Sequence, residues 1–201
     1  MQRADHDLAF MLQYENIAWY EDGKVKILDR RIYPARVEFV TCGTHQEVAQ
    51  AITDMVTQSA GPYTAVPMGM ALAAHECRDK TAAEQMEYLR KAAHTISHAR
   101  PTTVKRMALL CDLCLAEAER ALAAGEDTAQ AIVNKTVELN NTRYERVAKI
   151  GKYLVDLFPE NGTVMTHCFA ETIVGMMLRE CSERGKHIRL FCPETRPYFQ
   201  G

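Results

Sequence analysis

The stretch that most constrains the fold lies near the carboxyl end of the chain, where two strand-like segments flank a helix-like one. Residues 163–168 read Thr-Val-Met-Thr-His-Cys and predict a strand that ends in a tight turn at Cys168. A helix is predicted over 171–184, ended by Gly185, and a second strand over 187–192. Strand, helix and strand within about 30 residues predict a parallel βαβ unit, whose ligands bind at the carboxyl ends of the strands.

Two parallel strands are too few for a complete sheet, because parallel sheets are normally larger and are covered on both faces. The sequence therefore predicts the first βαβ unit of a parallel sheet that is truncated at residue 201. The alternative is a natural short protein that completes its sheet with a partner chain, since an exposed sheet edge has to be covered.

The chain before residue 159 predicts a small antiparallel hairpin and then a helical layer, so the fold class is mixed α/β. Glu-Asp-Gly-Lys at 21–24 is a hairpin signal between strands at 17–20 and 25–28, with a further strand at 37–40. Thr81 is a candidate N-cap with Glu84 as its capping-box partner. From residue 45 onward, apolar residues recur at helical spacing. This spacing predicts helices that include 66–76, 81–97, 104–124 and a long segment from Ala129 to Leu154.

These patterns divide the chain into two predicted domains. Residues 1–158 form a hairpin and helical amino-terminal domain, and residues 159–201 begin the domain that holds the parallel sheet. No repeat, low-complexity tract or flexible linker separates them.

Composition excludes several classes of partner. The net charge of −2 provides no electrostatic reason for binding nucleic acid or an anionic membrane. The short apolar run near the amino terminus is broken by Gln13 and Glu15, so it predicts neither a signal peptide nor a spanning helix. The seven cysteines are odd in number and scattered, which favours a reduced, cytoplasmic protein with free thiols.

Two metal-like spacings favour ordinary structural roles. Cys111 and Cys114 have the Cys-x-x-Cys spacing, but they lie in an apolar helical run without a second pair, which indicates core packing. His94 and His98 share one helix face but have no third ligand, which favours solvated or capping histidines. No glycine-rich nucleotide loop of either common type is present.

Cys168 and Arg100 each allow two interpretations from spacing alone. A thiol in a strand-to-helix turn faces the positive end of the helix, which favours a thiolate, yet a buried and inert cysteine is the commoner case. An arginine before a proline is held in an extended connector suited to clamping a phosphate, yet it can equally be an ordinary surface residue.

Six segments, taken together, resemble the methylthioribose-1-phosphate isomerase family. That family shares a superfamily with ribose-1,5-bisphosphate isomerases and the regulatory subunits of translation initiation factor 2B. Thr-His-Cys and Glu-Thr-Arg-Pro-x-x-Gln-Gly are its most specific motifs. The segments are Ile17–Lys24 with Ile27–Arg30, Thr44–Ile52, Gly69–Ala74, Ala99–Val104, Val164–Cys168 and Glu194–Gly201.

The resemblance implies a Rossmann-like carboxy-terminal domain and the isomerisation of an aldose-1-phosphate to a ketose-1-phosphate, with no metal and no cofactor. It implies a phosphorylated sugar as ligand, a homo-oligomer such as a homodimer, and a role in methionine salvage. Cys168 matches the family's catalytic cysteine. Substrate or phosphate binding is assigned by the same resemblance to Arg100, Gln200, Ser59, Ala60 and Gly61.

The chain departs from the family pattern at three points. The family's catalytic aspartate comes from a strand later than residue 201, so we expect the chain alone to be inactive. Gln58 occupies the place of a family arginine. Phe169–Thr172 leads directly into the helix, as in ribose-1,5-bisphosphate isomerases, which leaves the choice of sugar phosphate open.

The alternative function is a non-catalytic, ligand-sensing subunit like those of initiation factor 2B. Those subunits generally lack the Thr-His-Cys and Glu-Thr-Arg-Pro forms that this sequence carries.

Overall fold

The computed structural model describes residues 3–197. The chain divides into two compact units, each described here by itself. The helical unit comprises Tyr14–Leu139, and the βαβ unit comprises Met1–Gln13 with Asn140–Gly201. The architecture is mixed α/β and rich in helix, as predicted, and the predicted domain boundary after residue 158 stays a prediction.

The helical unit contains a three-stranded sheet and five complete helices within the described residues. Its elements are α1 (Tyr14–Ile17), β1 (Ala18–Glu21), β2 (Lys24–Leu28), β3 (Phe39–Cys42), α2 (His45–Thr53), α3 (Pro62–Glu76), α4 (Ala82–Ser97) and α5 (Val104–Ala124). Helix α6 (Thr128–Asp156) contributes residues to both units.

The antiparallel sheet confirms the predicted hairpin. Strand order is β1-β2-β3, with Val25 paired to Tyr20 on one side and to Cys42 on the other. Asp22 and Gly23 both have positive φ, of 49° and 72°, which is the conformation that a two-residue hairpin turn requires. Side chains alternate along β2, so that one face of the sheet is buried.

Helix α3 forms the centre of the helical unit. Twelve of its 15 residues are buried, and the surrounding core includes Val48 of α2, Ile96 of α4 and Cys111 of α5. A Cβ on Gly69 would lie 2.9 Å from Val48 and 3.1 Å from Ile96, so the absence of a side chain there permits close helix packing. The helix starts at Pro62, four residues before the predicted start.

Helix ends in this unit follow local sequence signals. The predicted capping box is present: the Glu84 backbone N–H donates to the Thr81 hydroxyl (3.4 Å), and the Thr81 N–H donates to the Glu84 carboxylate (3.0 Å). Gly125, with φ of 68°, ends α5 in the left-handed conformation. Both features confirm the sequence prediction.

A partly buried carboxylate connects three helices of the helical unit. Glu76 of α3 accepts hydrogen bonds from the His45 backbone N–H (3.0 Å) and lies 2.6 Å from His45 Nδ1. The Tyr88 hydroxyl of α4 donates to the same carboxylate (3.3 Å), and burial is the main cause that raises the Tyr88 pKa. Glu76 therefore satisfies polar groups at the start of α2 and in the middle of α4.

The βαβ unit contains the predicted parallel pair. Strands β4 (Thr163–Met165) and β5 (Arg189–Phe191) flank α7 (Glu171–Glu183), and Met165 pairs with Phe191 in parallel register. Each strand has three residues, so β5 is shorter than the predicted 187–192. A hydrophobic core of the βαβ unit is formed by Val155, Val174, Met177 and Cys181, with Phe158, Phe169, Ile188 and Leu190 packed against it.

The amino-terminal segment of the βαβ unit has structure that the sequence pattern did not predict. A 3₁₀ turn at Phe10–Leu12 packs on α7, where a Cβ on Gly175 would lie only 2.5 Å from Leu12. The Tyr144 hydroxyl donates to the Leu12 carbonyl (2.8 Å), and burial raises the pKa of Tyr144 to about 12. Because Gly175 has no side chain, the 3₁₀ turn has room to pack against α7.

None of the helices within residues 3–197 combines the length and apolar character that a membrane-spanning segment needs.

The structure predicts that Glu76→Ala lowers the free energy of unfolding by about 2–4 kcal/mol, because it leaves two donors of buried His45 without an acceptor. Glu76→Gln, which retains one acceptor oxygen, should cost less. Urea denaturation measures both values. Glu87→Ala is the control: its ion pair with Lys91 is exposed to solvent and should contribute little to the free energy of unfolding. Equal effects of Glu76→Ala and Glu87→Ala would contradict the role of Glu76.

Candidate functional site

Cys168 lies in the loop that joins β4 to α7. The Thr166 backbone N–H donates to the Phe191 carbonyl of β5 (3.0 Å), and the Thr166 hydroxyl donates to the carbonyl of Cys168 itself. Cys168 is half-buried and has a φ of 60°. The loop is therefore hydrogen-bonded to β5 and turns sharply at Cys168. This cysteine lies two residues before Ala170, the N-cap of α7.

The amino terminus of α7 carries a buried acid rather than a capping side chain. Ala170 is the N-cap and makes no side-chain cap hydrogen bond, and Glu171 in the first turn is 5% exposed. A carboxylate at this position already interacts with the positive end of the helix dipole. The sequence predicted that Cys168 faces the positive end of this helix. The Glu171 carboxylate lies at the same helix end.

Left-handed backbone is concentrated in the loops that carry the predicted site motifs. Among residues 3–197, nine residues other than glycine have positive φ, and three of them are Asp or Asn, which tolerate this conformation best. Such conformations cost free energy and occur often at binding sites and active sites. The six others fall in three short stretches, and they are Met55, Ser59, Cys168, Ala170, Glu171 and Thr195.

Arg100 occupies the extended connector that the sequence predicted. Its φ and ψ are −139° and 109°, and a 3₁₀ turn at Pro101–Thr103 follows it directly before α5. The side chain is half-buried, and within the described chain its guanidinium has no hydrogen bond or ion pair. An arginine held in this way has its donors available for an anion.

The start of α5 adds further positive charge near Arg100. The first turn contains Lys105 and Arg106 and no acidic residue, and Thr103 makes no side-chain cap hydrogen bond. Neither cation forms an ion pair with residues 3–197, although Arg106 lies 5.5 Å from the centroid of the Tyr63 ring. Cations at the positive end of a helix are unfavourable unless an anion binds there.

The loop with Ser59, Ala60 and Gly61 runs beside the Arg100 connector. On the amino-terminal side of the two loops, the Thr53 hydroxyl donates to the Ala99 carbonyl (2.8 Å). On their carboxy-terminal side, the Arg106 guanidinium contacts the Tyr63 ring. The two segments are therefore neighbours in the helical unit.

The loop at 59–61 has little space for a side chain at Gly61. A Cβ on Gly61 would lie 2.1 Å from the Thr57 hydroxyl and 3.0 Å from the Gln58 carbonyl, so a side chain there would force these groups to move. The N–H groups of Tyr63, Thr64 and Ala65 already donate to the Ala60 and Gly61 carbonyls. A phosphate at this loop would therefore be bound by Ser59 and the loop backbone rather than by the first turn of α3.

The predicted site residues thus belong to separate parts of the structure. Arg100 and the loop at 59–61 lie in the helical unit, and Cys168 lies in the βαβ unit. Gln200 lies outside the described residues. Just before it, Arg196 donates to the Glu194 carboxylate (2.7 Å) within the Glu-Thr-Arg-Pro motif.

The two metal-like spacings have structural explanations. Cys111 and Cys114 are buried in the helical unit, and burial raises the pKa of Cys111 to about 12 and also raises that of Cys114. His94 and His98 stack with ring centroids 4.0 Å apart, and His98 Nδ1 lies 2.9 Å from the His94 carbonyl. Residues 3–197 contain no group of three or more side chains arranged to hold a metal ion.

Sequence reasoning assigned no individual role to Thr166, Lys105 or Arg106. The basic run Arg-Pro-Thr-Thr-Val-Lys-Arg at 100–106 could have revealed the two cations, but the hydrogen bonds of Thr166 depend on the pairing of two strands. A cleft of about 430 Å³ in the helical unit, lined in part by Tyr20, His75 and Asp127, contains none of the predicted site residues.

Comparison with known proteins identifies one family that the chain matches. Residues 61–201 match the model of the initiation factor 2 subunit family. The methylthioribose-1-phosphate isomerase of Thermotoga maritima is 29% identical over 198 residues, covering 94% of this chain and 56% of the relative. The isomerase of Carboxydothermus hydrogenoformans is 30% identical over 194 residues, covering 91% and 55%. The chain spans about half the length of the curated relatives it matches.

Two solved structures have the same fold over most of the chain. The delta subunit of translation initiation factor eIF-2B from A. fulgidus aligns with a TM-score of 0.72 and 26% identity, covering 92% of this chain and 56% of that one. The 5-methylthioribose 1-phosphate isomerase of Pyrococcus horikoshii OT3 aligns with a TM-score of 0.68 and 26% identity, covering 92% and 54%. Similarity to methylthioribose-1-phosphate isomerases accompanies this match. Because the family model matches residues 61–201, this chain belongs to the initiation factor 2 subunit family.

Proposed function

We propose that the chain provides part of the active site of a sugar-1-phosphate isomerase, which converts an aldose-1-phosphate to a ketose-1-phosphate. The observation that carries the proposal is the Cys168 loop: a half-buried thiol on left-handed backbone at the carboxyl end of β4. The named function of the isomerase relatives supports the same reaction class.

Arg100 is proposed to hold the substrate phosphate. Its guanidinium has no anionic partner within residues 3–197, and the neighbouring first turn of α5 brings two further cations and no acid. A bidentate contact with a phosphate would satisfy this unbalanced charge. The loop at 59–61, which runs beside Arg100, would contact the same group.

Cys168 and Gln200 are proposed to act on the sugar. In the isomerisation, a hydrogen leaves C2 of the opened sugar and one is gained at C1, so an acid or base must lie beside the carbon chain. Cys168 is assigned that role, and Gln200 is assigned a contact with the substrate. A phosphate held by Arg100 would keep the reacting carbons in position.

The proposed substrate is methylthioribose-1-phosphate or ribose-1,5-bisphosphate. The relatives' names favour the first, whereas the short connection from Cys168 to α7 resembles the second class. The proposal extends to a cytoplasmic homo-oligomer that acts on a phosphorylated sugar rather than on nucleic acid or membranes, and to methionine salvage if methylthioribose-1-phosphate is the substrate.

The 201 residues are expected to bind a sugar phosphate without turnover. They match about 56% of the Thermotoga maritima relative, and the resemblance to the isomerase family implies a catalytic aspartate on a later strand than those matched here. A base or acid would then be missing from the proton transfer, while the phosphate anchor is present.

The second candidate is a regulatory subunit that senses a phosphorylated ligand. The similarity to the eIF-2B delta subunit, with a TM-score of 0.72, favours this candidate. Arg100 would hold the ligand in both cases, so only turnover distinguishes the two.

Arg100→Gln is predicted to weaken binding of ribose-1,5-bisphosphate or methylthioribose-1-phosphate by about 10- to 100-fold, because charge-assisted hydrogen bonds to the phosphate are lost. Isothermal titration calorimetry on the 201-residue chain measures the change. Arg90→Gln is the matched control: Arg90 is exposed on α4 and has no partner among residues 3–197. Equal losses in the two variants would show that only general charge matters.

Cys168→Ser is predicted to lower kcat by about 100-fold or more with little change in binding, because general acid-base catalysis contributes this much. Turnover is measured in a chimera in which residues 1–201 replace the aligned segment of the Thermotoga maritima isomerase. Cys192→Ser, at the neighbouring strand end, is the control and should keep kcat under reducing conditions.

Unchanged kcat in Cys168→Ser would exclude the assigned role of this cysteine. A folded chimera that binds both sugar phosphates but converts neither would favour the regulatory-subunit candidate.

A further inference from the structure

The seven cysteines of the chain fall into two classes by accessibility. All lie within residues 3–197, and all are free thiols. Burial raises the pKa of Cys42 to about 11 and that of Cys111 to about 12, and it also raises the pKa of the other buried thiols. The five buried cysteines are Cys42, Cys77, Cys111, Cys114 and Cys181. The two others, half-buried Cys168 and exposed Cys192, are open to reagents.

These two accessible thiols lie at the same edge of the parallel sheet. Met165, the last residue of β4, pairs with Phe191, the last residue of β5. Cys192 follows Phe191 directly, and Cys168 is three residues after Met165. Because adjacent parallel strands end at the same edge, both cysteines belong to the loops at that edge.

Thr166 connects the two loops by hydrogen bonds. Its N–H donates to the Phe191 carbonyl (3.0 Å), which belongs to the peptide bond that leads into Cys192. Its hydroxyl contacts the same carbonyl (3.4 Å) and donates to the carbonyl of Cys168. One side chain is thus bonded to the backbone of Cys168 and to the peptide group of Cys192.

We propose that Cys168 and Cys192 are a redox modification site, at which the two thiols form a reversible intramolecular disulfide. A disulfide requires Cα atoms about 4.4–6.8 Å apart. The register that pairs Met165 with Phe191 continues with Cys192 opposite Thr166, and the Thr166 hydroxyl is bonded to the carbonyl of Cys168. Residues 192–195 have no regular secondary structure, so no strand pairing fixes the backbone of Cys192.

The oxidant is a hydroperoxide, and two displacement steps form the bond. The exposed Cys192 thiolate attacks the peroxide, the O–O bond breaks, and a sulfenic acid and hydroxide form. The Cys168 thiolate then attacks the Cys192 sulfur, the S–O bond breaks, and hydroxide leaves as the S–S bond forms. In total, two thiols and one hydrogen peroxide become one disulfide and two waters.

The disulfide would join the Thr-His-Cys loop to the segment that leads into the Glu-Thr-Arg-Pro motif. It does not rest on the proposed isomerase activity, because it concerns only the two thiols of the free chain. If Cys168 is also catalytic, oxidation would inhibit turnover and a dithiol reductant would restore it.

Trypsin separates the relevant thiols, which allows a direct test. Cys168 falls in the peptide 153–179, Cys181 in 180–184, and Cys192 in 190–201, because the Arg196-Pro197 bond resists cleavage. The reduced chain is treated with one equivalent of hydrogen peroxide, alkylated, digested and analysed by mass spectrometry. We expect the peptides 153–179 and 190–201 to be joined, two hydrogens lighter than their sum, and to separate in dithiothreitol.

The titratable thiols should fall from seven to the five buried ones. Cys168→Ser and Cys192→Ser should each abolish the joined peptide, whereas Cys181→Ser, which removes a buried thiol of α7, should leave it unchanged. Circular dichroism checks that each variant is folded.

Three outcomes would overturn the proposal. The first is oxidation of Cys192 to sulfinic acid in the unaltered chain without any joined peptide. The second is pairing of either thiol with Cys181. The third is a joined peptide found only in a cross-linked dimer on a non-reducing gel, which would mean that the disulfide forms between chains.

Discussion

The burial of α3 on all sides is the constraint on which the helical unit depends. A helix without an exposed face needs neighbours all around it, and small residues such as Gly69 let α2 and α4 approach closely. Pro67 costs roughly 3 kcal/mol in a helix interior. Full burial of Met68, Met70 and Leu72 contributes about 1.5–3 kcal/mol each, so burial outweighs the cost of the proline.

The packing around α3 also places the basic loop of the helical unit. The contacts of Thr53 with Ala99 and of Tyr63 with Arg106 keep the segment at 59–61 beside the Arg100 connector. Two chain segments far apart in sequence thereby meet where α5 begins with unpaired positive charge. The proposed anion site rests on this arrangement and needs no charged residue from the core.

In the βαβ unit, the pairing of two short parallel strands positions the loops that carry the proposed site residue and the two accessible thiols. Their register brings the loop of Cys168 and the start of the Cys192 segment to one edge, and Thr166 bonds the two loops together. The same edge therefore carries the proposed catalytic thiol and the proposed redox pair. The left-handed residues at 168, 170 and 195 show that the backbone there is held in conformations that local preferences disfavour.

Local signals in the sequence determined much of the fold. The Asp22-Gly23 turn, the Thr81 capping box, Gly125 at the end of α5 and the strand-helix-strand order of residues 163–191 are each specified by residues close in sequence, and each was predicted. The motif residues Cys168 and Arg100 could also be named from sequence. Tertiary structure alone decided that α3 extends through Pro67, that the 3₁₀ turn at 10–12 packs on Gly175, and that Arg100 lacks an ion partner. These depend on burial and on contacts between distant segments, which no local pattern of residues records.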